Sequence, residues 1–157
     1  MSTTTLCIER RICYGNVRNI LQAKTGVSIF VSPETTVFQA LQLMVDKNIG
    51  ALLVMDHESV IGIFTERDYA RKVILQGKSS KQTPIREIMT DTLLTVTSET
   101  SIEECMWLMT NRFIRHLPVL DDGKLSGIIS IGDVVKYVIE EQKSIIGNLE
   151  HYIKGSV

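Results

Sequence analysis

Two short segments of the sequence carry residues suited to holding a nucleotide. Residues 62–68 (GIFTERD) and 127–133 (GIISIGD) share a glycine, two hydrophobic residues, a hydroxyl, two variable residues and an aspartate. Where such a segment joins a strand to a helix, glycine allows a ligand to approach and the helix N-terminus offers unpaired N–H groups to an anion. The aspartate can accept hydrogen bonds from both ribose hydroxyls. The same spacing is also an ordinary capping box, and the two interpretations are compatible.

Both segments belong to a longer internal repeat. Residues 31–69 align with residues 96–134 at a constant offset of 65, without a gap. A repeat of this kind indicates two copies of one structural unit that pack on each other. A copy of about 60 residues would be marginally stable alone. We therefore expect the copies to share a core.

Each copy predicts the same order of secondary structure. After an extended segment, apolar residues at helical spacing predict an amphipathic helix that begins after Thr36 in one copy and after Ser101 in the other. Gln39 and Glu104 fit the capping boxes of these helices. Two apolar runs then predict a hairpin, and a second helix starts at the motif's hydroxyl. The expected fold class is α/β (α+β), with two β-α-β-β-α repeats packed through their sheets about a pseudo-two-fold axis.

The remaining segments define the domain organisation. Residues 17–21 (VRNIL) resemble residues 85–89 (IREIM), so a short helix is expected ahead of each copy, the second with Thr83 as N-cap and Pro84 as first helical residue. The last segment carries apolar residues among charged ones, so its far end is expected to pack on a partner chain. The expected segments are an N-terminal extension (1–16), repeat 1 (17–76), a linker (77–83), repeat 2 (84–140) and a C-terminal helical tail (141–157).

Composition excludes several classes of partner. The chain has 157 residues, 44% of them hydrophobic and 22% charged, and its net charge of -1 provides no basic field for nucleic acid or an anionic membrane. Charged residues interrupt the N-terminal segment, and no apolar run is long enough for a signal peptide or a membrane span. A cytoplasmic protein is expected. Cys7, Cys13 and Cys105 lack metal-ligand spacing and are interpreted as reduced thiols, with Cys105 on a buried helix face.

The repeat and its motifs resemble a tandem pair of CBS domains, a Bateman module. The resemblance covers roughly residues 17–140 and is carried by residues 47–54 (KNIGALLV), 65–72 (TERDYARK) and 114–121 (IRHLPVLD). These strings are similar to those of small stand-alone bacterial CBS-pair proteins without an attached enzyme. The resemblance implies binding of adenosine compounds, chiefly AMP, ADP or ATP and sometimes NAD or S-adenosylmethionine, in clefts between the repeats. It also implies a homodimer.

The resemblance implies a role for individual residues. Asp68 and Asp133 would hold ribose hydroxyls, while Thr65 and Ser130 would contact ribose or phosphate. The implied phosphate contacts are Arg115 and His116 in the second copy, Arg67 in the first, where the second has Gly132, and more weakly Lys24.

The two clefts are expected to differ in ligand. Arg115 and His116 are assigned to the cleft of Ser130 and Asp133, which is then expected to take AMP. The cleft of Asp68 is assigned the small residues 50–51 and is expected to admit ADP, ATP or NAD. Other interpretations of the same charges remain open, since an arginine can be a solvated surface residue and a histidine can be half-buried without a ligand.

The sequence bears on three classes of function. His57, His116 and His151 are widely separated, and no catalytic triad or metal-ligand spacing is visible. The leading hypothesis is a non-catalytic adenosine-nucleotide sensor that acts on an unknown regulated protein. The alternative is a structural interaction module with empty clefts. A nucleotide-dependent enzyme such as inosine monophosphate dehydrogenase, which carries such pairs as inserts, would need a catalytic barrel for which this chain has no room.

Overall fold

The first half of the chain builds a three-stranded sheet with helical cover. The computed structural model describes residues 13–155. The elements of this half are α1 (Val17–Ala23), β1 (Phe30–Val31), α2 (Val37–Lys47), β2 (Ala51–Asp56), β3 (Ser59–Thr65) and α3 (Glu66–Asp68), followed by a π-helical turn (Tyr69–Val73) and a 3₁₀ turn (Ile74–Gln76). The strand order is β1-β2-β3, with β1 parallel to β2 and β3 antiparallel to it.

The second half repeats this arrangement with a reduced first strand. Its elements are a 3₁₀ turn (Ile85–Glu87), α4 (Ile102–Arg112), β4 (His116–Asp121), β5 (Lys124–Ser130) and α5 (Ile131–Gly155). Strands β4 and β5 pair antiparallel, and the chain ahead of α4 adds one parallel bridge to β4, between Val96 and Val119. Pro118 accepts a hydrogen bond from Val96 N but has no N–H of its own. The missing N–H limits the parallel pairing to the single bridge at Val96. The β-α-β-β-α order is confirmed in both copies.

Local capping fixes the helix ends. Thr36 and Gln39 form the complete predicted capping box of α2, with Gln39 N 3.2 Å from Thr36 Oγ1. At α4 Ser101 caps the backbone of Glu104 at 3.1 Å, and the structure gives no return bond from the Glu104 side chain among the described residues. Pro84 is itself the N-cap of the 3₁₀ turn, so the turn starts at Ile85, one residue later than predicted. Since Pro lacks an N–H, either position is compatible with a helix start.

Each short helix packs into the core of the other repeat. Val17 and Ile20 of α1 are buried in the cluster built by α4, β4 and β5, and Val17 N donates to Thr100 O at 2.9 Å. Ile85 and Ile88 are likewise buried in the cluster of α2, β2 and β3. The expected short helices are present, but each completes the other copy. Repeat boundaries at 17–76 and 84–140 therefore do not coincide with the two cores.

The repeats meet through their sheets, as predicted. Ala51, Leu53 and Ile63 of the first sheet form a small buried cluster with partly buried apolar residues that include Leu125 and Ile128 of the second. Two separate cores flank this cluster. The single shared core expected from the sequence is thus replaced by two cores with an apolar interface between them.

The predicted C-terminal tail is the continuation of a single helix. The helix α5 runs without a break over 25 residues from Ile131 to Gly155. Beyond the second core it exposes apolar side chains: Ile145, Ile146, Leu149 and Ile153. None of the helices in residues 13–155 is both long and apolar enough to cross a bilayer. Most of the predicted N-terminal extension, including Cys7, lies outside the described residues, as do residues 156–157.

Candidate functional site

Two clefts lie between the repeats, and each is lined by residues from both. The Asp133 cleft has a volume of about 470 Å³ and is lined by residues 24–29 and 47–51 of the first half and by His116, residues 126–128, Ser130 and Asp133 of the second. The Asp68 cleft has a volume of about 670 Å³. Its lining comprises Gly50, Ile63, residues 65–68, Arg71, Lys72, Thr90 and residues 112–116. Predicted ribose-binding aspartates thus face separate clefts.

Both aspartates also cap the helix that follows their strand. Thr65 N donates to Asp68 Oδ2 at 2.9 Å, and Asp68 N donates back to Thr65 Oγ1 at 3.2 Å. In the second copy Ser130 N donates to Asp133 Oδ2 at 2.8 Å, and Asp133 N donates to Ser130 Oγ at 3.1 Å. The capping-box interpretation of the motif is therefore confirmed, while the same residues line a cleft.

The two carboxylates differ in how many lone pairs the protein already uses. Asp68 Oδ2 accepts from Thr65 N and Oγ1, and Oδ1 accepts from Thr90 Oγ1 at 3.1 Å and lies 3.2 Å from Lys72 Nζ. A carboxylate has about four acceptor sites, so Asp68 is close to saturated. Asp133 Oδ2 accepts from Ser130 N and Lys24 Nζ, but none of the residues in the described range donates to its Oδ1.

Lys24 is the basic partner of the less saturated aspartate. Its Nζ lies 2.9 Å from Asp133 Oδ2 and 2.9 Å from Ile128 O. Burial raises the pKa of Asp133, but the hydrogen bonds from Lys24 and Ser130 and the charge of Lys24 outweigh it, so the pKa is below its usual value. Asp133 is therefore ionised at neutral pH, and Lys24, which the sequence suggests as a weaker candidate for phosphate contact, lines the Asp133 cleft.

Arg115 lines the cleft opposite to the one predicted. Its carbonyl accepts a hydrogen bond from Ile131 N at 2.8 Å within its own repeat, yet the residue lines the Asp68 cleft and not the Asp133 cleft. The corresponding residues of the first repeat, 50–51, line the Asp133 cleft. Pairing Arg115 with Ser130 and Asp133 was therefore wrong. The residues at the start of β2 and just before β4 therefore line the cleft that contains the aspartate of the other repeat.

His116 lines both clefts and is uncharged at neutral pH. Burial lowers its pKa below the usual value; the charge of Asp133 raises it, and the charges of Lys24 and Arg115 lower it further. His116 is expected from the sequence to contact phosphate beside Arg115, and its lowered pKa favours the neutral imidazole, which offers one N–H donor and no positive charge.

Basic residues are concentrated in the Asp68 cleft. Five basic residues line it, against two acidic ones, Glu66 and Asp68: Arg67, Arg71, Lys72, Arg112 and Arg115. The Asp133 cleft has Lys24 and Lys47 against one acid. Sequence reasoning missed Arg71, Lys72 and Arg112. The spacing of four residues from Arg67 to Arg71, and from Asp68 to Lys72, is the signal that could have found two of them.

The motif glycines make room for protein side chains, and one of them, Gly127, also lines a cleft. A Cβ on Gly62 would lie 2.5 Å from Met89 Sδ, and Gly62 lines neither cleft. A Cβ on Gly127 would lie 2.8 Å from Leu21 Cδ2, although Gly127 also lines the Asp133 cleft. The side chain packed on Gly127 thus comes from α1, and the side chain packed on Gly62 comes from Met89, shortly after the 3₁₀ turn. Gly132, named as a site candidate, lines neither cleft.

Comparisons with known proteins agree with this architecture. A family model for the CBS domain matches residues 19–74 and again residues 85–140. CBSX3, a mitochondrial CBS domain-containing protein of Arabidopsis thaliana, is 43% identical over 135 residues, which are 83% of this chain and 66% of that protein's length.

Solved structures give the same result. A CBS-domain protein from Burkholderia ambifaria MC40-6 is 52% identical, with a TM-score of 0.78 over 81% of this chain and 96% of that one. The CBS domain pair of protein MJ0100, solved with 5′-methylthioadenosine and S-adenosyl-L-methionine, shares the fold at 24% identity and a TM-score of 0.69, over 80% of this chain and 97% of that one. This chain therefore belongs to the CBS domain family, as a tandem pair of two CBS domains.

Proposed function

We propose that the chain is a non-catalytic sensor that binds adenosine nucleotides in its two clefts. The observation that carries the proposal is the doubled arrangement of a carboxylate, a hydroxyl and a helix start at a cleft that also contains basic residues. The adenosine compounds bound by the CBS pair of MJ0100 support this ligand class. The family match indicates no enzyme family.

The Asp133 cleft is the proposed site for AMP. Oδ1 of Asp133 is open to a ribose hydroxyl, while Lys24 and Lys47 offer charge to one phosphate group. Gly50 and Ala51 line this cleft and fill little of it, because glycine has no side chain and alanine only a methyl. AMP is also the ligand expected for this cleft from the sequence, but the proposed phosphate contact is Lys24 and not Arg115.

The Asp68 cleft is the proposed site for a ligand with two or more phosphates, such as ADP, ATP or NAD. It is the larger of the two by about 200 Å³, with volumes of about 670 and about 470 Å³. Its five basic residues can make several charge-assisted hydrogen bonds to a polyphosphate. Ribose would enter by replacing the bonds of Thr90 or Lys72 to Asp68 Oδ1.

The proposed signal passes through a homodimer to a regulated protein whose identity is unknown, in the cytoplasm. Exposed apolar side chains on α5, among them Ile145, Leu149 and Ile153, support contact with a second chain. Truncation after Glu141 removes these three residues and should weaken the dimer. Light scattering at micromolar concentration measures this, and an intact chain that is monomeric would contradict it.

Thermal unfolding of ligand-free protein tests the proposed nucleotide binding. A nucleotide at about 100 times its Kd should stabilise the fold by about 2.7 kcal/mol, which raises Tm by about 5 to 11 °C for a chain of this size. The matched control is the double variant Asp68→Asn/Asp133→Asn, whose Tm should respond far less. Unchanged melting curves with AMP, ADP, ATP and NAD would instead favour a structural interaction module.

A further inference from the structure

One side chain stands between the two clefts. Among the described residues, Gly50 and His116 are the two that line both the Asp68 cleft and the Asp133 cleft. A Cβ on Gly50 would lie 3.7 Å from Cε1 and 3.8 Å from Nε2 of His116, so the imidazole faces this backbone. Because Gly50 has no side chain, the imidazole is the side chain that the clefts share.

We propose that His116 couples the two clefts, so that an anionic ligand bound in one raises the affinity of the other for an anionic ligand. The proposal rests on the proposed function, since it requires phosphate-bearing ligands in both clefts. It goes beyond that function because two clefts could bind independently. A coupling of this kind is reciprocal: each ligand changes the affinity for the other by the same factor.

The charges around His116 give the direction of the effect. The charges of Asp133 and Lys24 act on it from the Asp133 cleft, where Lys47 also lies, and the charge of Arg115 acts on it from the side of the Asp68 cleft, whose lining also includes Glu66. Without a ligand these groups and burial leave the imidazole neutral.

A phosphate in either cleft adds negative charge beside the ring and engages Lys24 or Arg115, whose charges oppose protonation. The pKa of His116 therefore rises on binding, and the ring takes up a proton. The resulting imidazolium then attracts an anion in the second cleft. The coupling is strongest at pH values between the lowered pKa of the unliganded protein and the ligand-raised pKa, and it is absent at higher pH, where the ring stays neutral.

Nuclear magnetic resonance of the imidazole groups provides the direct test. The sequence has three histidines, and His57, whose side chain is 95% exposed in the turn between β2 and β3, serves as internal reference. Asp68→Asn leaves the Asp133 cleft intact for titration with AMP, and Asp133→Asn leaves the Asp68 cleft intact for titration with ADP. The chemical shifts of His57 should respond to neither ligand, and we expect the pKa of His116 to rise in both titrations. A rise in only one of them overturns the proposal.

Calorimetry on the wild type then measures the coupling itself. Saturation with AMP should raise the affinity for ADP at least about fivefold near pH 6, and the effect should fade near pH 8 as the imidazole loses its proton. His116→Asn should lose this pH-dependent gain, whereas the matched substitution His57→Asn, in the exposed turn between β2 and β3, should retain it.

Equal coupling in His116→Asn and wild type overturns the proposal. Absence of any nucleotide binding to the wild type overturns the proposed function together with it. Binding in both clefts without coupling overturns this inference alone.

Discussion

Substitution of the motif glycine Gly62 tests whether the segment after the 3₁₀ turn, Met89 and Thr90, packs on β3. In Gly62→Ala the new Cβ would lie 2.5 Å from Met89 Sδ, 3.0 Å from Met89 Cγ and 3.2 Å from Thr90 O. The end of Met89 can turn aside. Thr90 cannot, because its N–H and carbonyl each form a 2.9 Å hydrogen bond with the backbone of Ile63.

The expected loss combines two opposing effects. Overpacking costs about 1 to 3 kcal/mol, and the reduced freedom of the unfolded chain returns about 0.4 to 1 kcal/mol. At the midpoints of these ranges the free energy of unfolding should therefore fall by about 1.3 kcal/mol, and Tm should fall by about 3 to 5 °C.

Urea unfolding of two glycine variants measures this effect against a matched control. Gly147 lies in α5, and a Cβ added there would have no atom within 4 Å, so Gly147→Ala fills open space in a helix. That change should stabilise the protein by about 0.5 to 1 kcal/mol. The two substitutions are chemically the same and should act in opposite directions. Equal or greater stability of Gly62→Ala relative to the wild type would refute the close packing of Met89 and Thr90 over β3.

Two further predictions concern single titratable groups. Hydrogen bonds from Ser126 and Ser98 lower the pKa of Asp121 to about 2, so its stabilisation is present above its unfolded pKa and is lost as pH falls toward 2. Asp121→Asn should therefore be less stable than wild type at neutral pH, with a difference that shrinks on acidification; a constant difference in urea titrations would contradict this. Burial raises the pKa of the Cys105 thiol to about 11, so thiol reagents should label exposed Cys13 and spare Cys105 until unfolding. Labelling of both at equal rates in mass spectrometry would contradict it.

Features that depend on neighbouring residues could be predicted from the sequence. The repeat gave the strand and helix order of both copies, and the spacing of Thr65 to Asp68 and of Ser130 to Asp133 gave the helix starts at the clefts. Burial of Cys105 follows from its place on the apolar face of α4 and is confirmed. Each of these features is set within one turn or one hairpin, so local periodicity is sufficient.

Features that depend on how the repeats pack could not be predicted in this way. Arg115 precedes β4, and the sequence alone pairs it with the aspartate of its own copy. Only the sheet-to-sheet contact shows that it serves the Asp68 cleft. The packing of each short helix on the other copy is of the same kind, because an apolar side chain such as Val17 does not indicate which copy's core it enters. The neutral state of His116 depends on its burial between the clefts, which has no signature in the sequence.

Isothermal calorimetry on Arg115→Met and Lys24→Met tests the central claim. That claim is that each cleft binds a nucleotide with an aspartate from one repeat and a basic residue from the other. Loss of one charged hydrogen bond, worth about 1.5 to 3 kcal/mol, weakens binding by about 10- to 150-fold. We expect Arg115→Met to weaken ADP binding in the Asp68 cleft by this factor and to change AMP binding in the Asp133 cleft far less. Lys24→Met should do the reverse. Loss of AMP binding in Arg115→Met, with ADP binding intact, would contradict the account.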